Sequence, residues 1–333
     1  MIKINSQEFK NKELETAVLF LVFNRPDTTK QVFEAIRKAK PSRLYVAADG
    51  PRGNKFGEAE LVKEVRTIVT EVDWPCKVKM LFRQKNLGCK KAVSSAITWF
   101  FEQEEQGIIL EDDCLPHLDF FFFCENLLNR HFSDEEIFAI TGNNFQKGEW
   151  RGDASYYFSK YIHVWGWATW RRAWKHYQVD INFWPKWKTS ADWKAHTPDK
   201  TERRYWQEIF DRCYLEKIDT WDYQLLLSAW YKNALTATPN VNLVKNIGFG
   251  MDATHTRDKL NEFSNMRVEK IGILKYPKTI KKNIKADRLV SDHHYYLRYE
   301  RFPFFLIYFL YKKLRGAVYR LRKFLKKYVN KIN

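Results

Sequence analysis

Glycine is scarce where phosphate-cradling loops would need it. The chain has 13 glycines in 333 residues, and the first apolar run, "TAVLFLVF", passes into "NRPDTT" with none. No GxGxxG follows that run and no GxxxxGK[ST] occurs, which disfavours a dinucleotide oxidoreductase or a P-loop enzyme. Cysteine is equally uninformative as a scaffold. Five residues, Cys76, Cys89, Cys114, Cys124 and Cys213, are scattered without a CxxC spacing, which suggests neither a disulfide framework nor a zinc knuckle and fits a reducing compartment. No window holds the roughly 18 apolar residues of a membrane span, and "MIKINSQEFKNKELET" contains no secretory apolar region. These absences lead to the expectation of a cytoplasmic protein.

What is abundant is aromatic residues and positive charge. Aromatics make up 17% and apolar residues 45% of the chain, enough for a sizeable core. The formal net charge is +17, and its distribution matters more than its size. Residues 298 to 333 carry eleven Lys/Arg against Glu300 alone, or +10, leaving +7 over the first 297 residues. Positive charge is therefore not spread over the body of the chain, and nucleic acid is not the expected partner.

Strand and helix patterns alternate through the first half. "TAVLFLVF" reads as a strand, "TTKQVFEAIRKAK" as a helix with Val32, Ile36 and Ala39 on one face, and "SRLYVAADG" as a second strand. "EAELVKEVRTIVTEV", "CKVKMLFR", "CKKAVSSAITWFFEQ" and "GIILEDD" continue as helix, strand, helix, strand, with "FAITGNN" as a further strand. Such alternation predicts an α/β fold with a mostly parallel sheet over residues 16 to 140. From 150 to 235 the chain holds eleven tryptophans and the alternation stops, which predicts a helical, irregular region sharing one core with the first. In the tail, Leu314, Val318, Leu321, Leu325 and Tyr328 recur at helical spacing among Lys and Arg, the pattern of a basic amphipathic helix.

Three strands end in polar residues: Asn24 and Arg25, Asp49 and Gly50, and Glu111 to Asp113. Ligands of open α/β sheets bind outside the carboxyl ends of the strands, so these residues are candidates for one site. Three adjacent carboxylates repel one another and call for a cation; a hard divalent ion such as Mn²⁺ or Mg²⁺ commonly takes one or two carboxylates together with substrate phosphates. An acidic helix N-terminus or a solvated turn is the competing explanation for "EDDCLPHLDFF".

Over residues 16 to 260 the chain resembles GT-A fold glycosyltransferases, being similar to the N-acetylglucosaminyltransferase I type and to bacterial hemolysin-like glycosyltransferases. The resemblance rests on an ordered set: "VLFLVFNRPDTTKQVFEAI", "VAADGPR", "RQKNLGCKKAVSSAI", "GIILEDDCLPHLDFF", "ITGNN", "VWGWATWRRAW" and "TWDYQ". It implies a GT-A, Rossmann-like α/β sheet with a Trp-rich acceptor-side region, to which the spacing in the tail adds C-terminal amphipathic helices. The boundaries are a nucleotide-sugar half over 1–145, an acceptor-side and catalytic-base region of the same domain over 146–260, and a basic extension over 261–333.

The resemblance also implies roles. Asn24, Arg25 and Asp49 match positions that hold the base and ribose, and Arg83, Asn86 and Gly88 line the nucleotide pocket. Glu111 would contact the donor sugar, Asp112 the ribose or sugar, and Asp113 the Mn²⁺ or Mg²⁺. Asp222 in "TWDYQ" resembles the base that inverting sugar transfer requires; as a first-turn acid after a cap at Asp219 or Thr220 it would be merely structural. Gly166 and Trp167 are candidates for the acceptor side, Trp170 and Trp174 for the core, and His255 in "NIGFGMDATHT" for a metal or phosphate contact.

The expected activity is metal-dependent, inverting transfer of a sugar from a nucleotide-diphosphate sugar, a UDP-sugar first, to a glycan or lipid-linked saccharide. A sugar-phosphate nucleotidyltransferase and a non-catalytic membrane or nucleic-acid binder are the alternatives. Residues 300 to 333 would attach the enzyme peripherally to the anionic cytoplasmic face of the membrane, or would pack on the core as helices.

Overall fold

Side chains alternate across a strand, and in this chain both faces are apolar. The computed structural model describes residues 4–5, 13–249, 263 and 266–306. In chain order the elements are β1 (Ile4–Asn5), β2 (Val18–Val22), α1 (Pro26–Ala39), β3 (Arg43–Ala48), α2 (Glu58–Thr70), β4 (Lys77–Phe82), α3 (Cys89–Phe101), β5 (Gln106–Glu111), β6 (Cys114–Pro116), α4 (Leu118–Arg130) and β7 (Ile137–Thr141). There follow β8 (Tyr156–Ser159), β9 (Trp167–Trp170), α5 (Arg171–Trp174), α6 (Trp184–Trp187), α7 (Ala191–His196), α8 (Lys200–Tyr214), α9 (Asp222–Tyr231), β10 (Leu235–Pro239), β11 (Val244–Asn246), β12 (Ile273–Leu274) and α10 (Ile284–Leu289).

Eight strands form the central sheet in the order β4-β3-β2-β5-β9-β7-β10-β8. The pairs β2/β3, β3/β4, β2/β5 and β7/β10 are parallel, whereas β9 runs antiparallel to both β5 and β7 and β8 antiparallel to β10. This is the expected α/β, Rossmann-like architecture with a mixed, mostly parallel sheet. The chain builds outward from β2 through β3 to β4, then returns to place β5 on the other side of β2. Crossovers leave in opposite directions there, so the carboxyl ends of β2 and β5 flank a topological switch point.

Each sheet face has its own core. Val18, Phe20 and Val22 of β2 and Leu44 and Val46 of β3 pack with Val32, Phe33 and Ile36 of α1, Val65 and Val69 of α2, and Phe120 to Leu128 of α4. Leu19 and Leu21 of β2, Tyr45 of β3 and Ile109 of β5 face the other way, onto Ile97, Phe100 and Phe101 of α3 and the tryptophan-rich segment. Two-sided burial explains why these strands read as continuous apolar runs. Helix α1 starts with Pro26, whose fixed φ suits a first helical position, and buries Val32, Phe33, Ile36 and Ala39 along one stripe.

The tryptophan-rich segment is less irregular than its sequence predicts. It sends β8 and β9 into the central sheet, β9 lying between β5 and β7, and returns as β10. Most of its indoles are core: Trp167, Trp170, Trp184 and Trp206 are fully buried, and Trp174, Trp187, Trp193, Trp221 and Trp230 nearly so, while Trp150 is exposed. The rings of Trp184, Trp193, Trp206 and Trp230 meet Phe210 at centroid distances of 5.3 to 6.2 Å, mostly edge to face, which is the preferred aromatic geometry.

The chain after 266 is tied into this body. β12 pairs with β1, Ile271 N–H donates to Asp119 at 2.9 Å, and buried Asp287 of α10 accepts from Ser159 Oγ at 2.6 Å. The amphipathic helix expected from Leu314 and the site residue His255 lie outside the described residues.

Candidate active site

Strand β5 delivers Glu111 to the rim of the sheet and the turn after it carries Asp112 and Asp113. β6, which follows immediately, pairs with β11, so the acidic turn is pinned from both sides. Opposite it, at the end of β2, Arg25 precedes the first turn of α1. Arg25 Nη1 lies 2.7 Å from Asp113 Oδ2 and 3.4 Å from Asp112 Oδ1, and Phe23 N–H donates to Asp112 Oδ2 at 3.2 Å. The switch point therefore holds two carboxylates on one guanidinium, with Glu111 close enough to feel both acids.

Its electrostatics are unbalanced. Burial, then repulsion by Asp113, pushes Asp112 up to about 7 against the pull of Arg25. Glu111 is held well above the usual carboxylate range by burial and by Asp113, Asp112 and Asp222, in that order. Burial lowers Arg25, but the attraction of Asp112 and Asp113 outweighs it and the guanidinium ends above its ordinary value. One fixed cation does not neutralise this much negative charge.

A hard divalent cation fits the donor set. Carboxylate oxygens are its preferred ligands, and the excess negative charge is what such an ion relieves. Among the described residues no three His, Cys, Asp or Glu side chains converge as a finished ligand set. The protein thus offers one or two carboxylates, and oxygens from a ligand would complete the shell.

Asp222 lies near the acidic turn. It begins α9, whose N-cap position is occupied by Trp221 without a side-chain cap, and Thr220 Oγ1 donates to Asp222 Oδ1. Its charge is felt at Glu111. Asp219 is not the cap of α9. Its carboxylate instead accepts from Cys89 N–H at 3.2 Å and Lys90 N–H at 3.0 Å, capping α3 from 130 and 129 residues away. That contact fixes the loop preceding Asp222 against the helix that enters the site.

Asp49 performs a related task. Buried at the end of β3, it accepts from Gly50, Leu87 and Gly88 N–H groups at 2.9 to 3.2 Å. Burial raises its carboxyl even so, though these bonds pull it down. Asn86 donates to Gly50 O at 2.8 Å, and a Cβ at Gly50 would lie 2.5 Å from the Lys85 carbonyl carbon, so the "NLG" turn is pressed onto the end of β3. Gly88 has φ +79°, a conformation that suits glycine. Arg83 donates to Ser95 Oγ at 2.8 Å, and Asn24 to Glu58 Oε1 at 2.9 Å. Asp49, Asn86 and Gly88 are thus brought together as one braced turn, while Asn24 is turned toward the Glu58–Arg52 ion pair.

Gly166 and Trp167 sit differently from an acceptor platform. Trp167 is fully buried and stacks on Trp221 at 5.7 Å. Gly166 has φ +70°, and a Cβ there would come within 2.8 Å of Val244 Cγ2, so its close approach is to core side chains. Trp167 touches the site through Trp221, the neighbour of Asp222. Trp170 and Trp174 are core, as expected.

Several contributors escaped sequence reasoning. In the sequence Asp219 reads only as a local cap, because nothing in one dimension marks a cap for a helix 130 residues away. Gln224, fully buried in "TWDYQ", has neither amide atom bonded among the described residues, and Asn143 Oδ1 in "ITGNN" and Trp167 Nε1 are likewise without a hydrogen-bond partner there. Gly248, in "NIGFGMDATHT", lies so close to Asp113 that a Cβ on it would overlap that carboxylate.

No protein-family model matches the chain, and no curated protein matches it. Among solved structures, HddC from Yersinia pseudotuberculosis is similar at 10% identity and a TM-score of 0.32, over 51% of this chain and 86% of its own. A UDP-glucose pyrophosphorylase complexed with UDP-glucose is similar at 13% identity and a TM-score of 0.25, over 44% of this chain and 62% of its own. Likeness of this degree carries no functional argument.

Proposed function

We propose that the protein is a metal-dependent glycosyltransferase that moves a sugar from a nucleotide-diphosphate donor, with UDP-sugars first among them, to a hydroxyl of a glycan or lipid-linked saccharide. The observation that carries this is the grouping of Glu111, Asp112 and Asp113 with Arg25 at the switch point, near enough to Asp222 for its charge to act on Glu111. Asp113 would hold Mn²⁺ or Mg²⁺, with Asp112 beside it. That ion would supply charge neutralisation for the diphosphate leaving group.

Asp222 would accept the proton of the acceptor hydroxyl as its oxygen bonds to the anomeric carbon. The bond from that carbon to the diphosphate breaks on the opposite face, which inverts the centre. Glu111 would receive a hydroxyl of the donor sugar and Asp112 a ribose or sugar hydroxyl. The turn braced by Asp49, with Arg83, Asn86 and Gly88, and the β2 end at Asn24 and Arg25, would form the nucleotide side. His255 would contact the metal or diphosphate.

Incubation with UDP-sugars and Mn²⁺ tests it: release of UDP that is lost on chelation and in Asp113→Ala is expected. Absence of UDP release from every donor, with turnover only in the presence of a nucleoside triphosphate and a sugar phosphate, would instead identify a nucleotidyltransferase. We further propose attachment to the anionic inner face of the cytoplasmic membrane through residues 300 to 333. The exposed side chains of Phe302, Phe305 and Leu306 and the basic composition of the tail support it.

A further inference from the structure

Asp113 has little free space around it. Its Oδ1 accepts a long contact from Cys114 Sγ at 3.4 Å, its main-chain carbonyl receives Ile247 N–H at 2.7 Å, and the backbone of Gly248 lies so close that a Cβ there would overlap Oδ2. Arg25 Nη1 lies 2.7 Å from Oδ2, and the same nitrogen is 3.4 Å from Asp112 Oδ1. A divalent ion bonded to those oxygens at about 2.0–2.6 Å would need the lone pairs and the space that the guanidinium now takes. It would also stand against a permanently protonated side chain of like charge.

We propose that Arg25 is an internal cation that competes with the divalent metal ion for Asp113 and Asp112, so that the ion enters only as Arg25 swings away. The inference rests on Asp113 being a metal ligand and adds a condition to that reading. In the absence of metal, Arg25 holds the acidic turn together. Once displaced it stays tethered at the end of β2, beside the place where a diphosphate would complete the metal shell, and its fork geometry suits phosphate oxygens. Nucleotide diphosphate and metal are then expected to bind cooperatively, because one supplies a new partner for the cation that the other expels.

The test is Mn²⁺ binding to the full chain without substrate, read from the electron paramagnetic resonance signal of the free ion at fixed pH and ionic strength. Arg25→Ala is expected to bind Mn²⁺ at least about tenfold more tightly than the unmutated chain, and the double variant with Asp113→Asn to lose that gain. Equal or weaker binding in Arg25→Ala, with Asp113→Asn still weakening binding, overturns the competition while leaving Asp113 as a ligand. Indifference of binding to Asp113→Asn overturns the metal reading itself. Should Arg25→Ala fail to fold, the unmutated protein decides: phenylglyoxal modification of Arg25, followed by peptide mass spectrometry, is expected to rise when Mn²⁺ is added. Unchanged or reduced modification overturns the proposal.

Discussion

Asp219 accepts a 3.0 Å hydrogen bond from the backbone N–H of Lys90, joining the loop before α9 to the first turn of α3. Through it, the segment that carries Asp222 is referenced to the helix whose N-terminal turn Asp49 braces from the other side. Asp219→Ala removes this cap and is expected to cost about 1 kcal/mol, lowering Tm by roughly 2–4 °C for a chain of this size. Asp219→Asn, which keeps an acceptor, is expected to recover most of that loss. Calorimetry of the two variants checks both statements; equal melting temperatures for Asp219→Ala and the unmutated chain would refute the bracing role.

Asp222→Asn keeps the shape of the first turn of α9 but cannot accept a proton. If Asp222 is the base, kcat for sugar transfer is expected to fall by about 10²–10⁴ with little change in donor KM. Steady-state kinetics at saturating donor would distinguish this from a binding role, which raises KM instead.

Gly166→Ala puts a Cβ at a left-handed φ of +70° and 2.8 Å from Val244 Cγ2, with Leu110 Cδ2 at 3.3 Å. Strain and overpacking each contribute about 1–3 kcal/mol, so a marked drop in the urea midpoint is expected. If the glycine served only to admit a sugar, stability would not change and acceptor KM would rise.

Acid sensitivity is expected from His163 and His294, whose rings lie 5.2 Å apart beside Phe145. Burial, then the neighbouring His294, holds His163 well below its ordinary value, and burial lowers His294 to about 4. Both are neutral in the folded protein, so their contribution is complete above about pH 6.5 and is lost as pH falls toward the folded values. Asp112, raised to about 7, acts in the opposite sense, contributing most at low pH and losing its share as pH rises toward 7. Comparing Tm at pH 7.5 and 5.5 for the unmutated chain and a His163→Phe, His294→Phe variant isolates the histidines. The variant is expected to lose less stability on acidification, and an identical loss would contradict the assignment.

The strand ends and the acidic turn were legible because two-sided burial writes long apolar runs and each run stops at polar residues. Glu111, Asp112 and Asp113 could be placed at one rim from β-alternation alone. The contacts made at that rim could not. Arg25 ends a strand directed at the same site, but its pairing with carboxylates 87 and 88 residues on, the capping by Asp219 of a helix 130 residues back, and the close approach of Gly248 to Asp113 depend on tertiary distances. The tryptophan-rich segment misled in a particular way. Its short strands β8 and β9 are paired by neighbours distant in sequence, so the local pattern shows aromatic density without an alternation long enough to mark a strand.

The sequence by itself determined the period of the elements in its first half, the two-faced apolar sheet and the place where acids cluster, since these follow from side-chain alternation and helical spacing. Only the tertiary structure decided which charges meet. Ion pairing, capping and steric closure depend on distances of a few ångströms between segments far apart in the chain, and the order of strands around β2 is what brings Arg25 to Asp113.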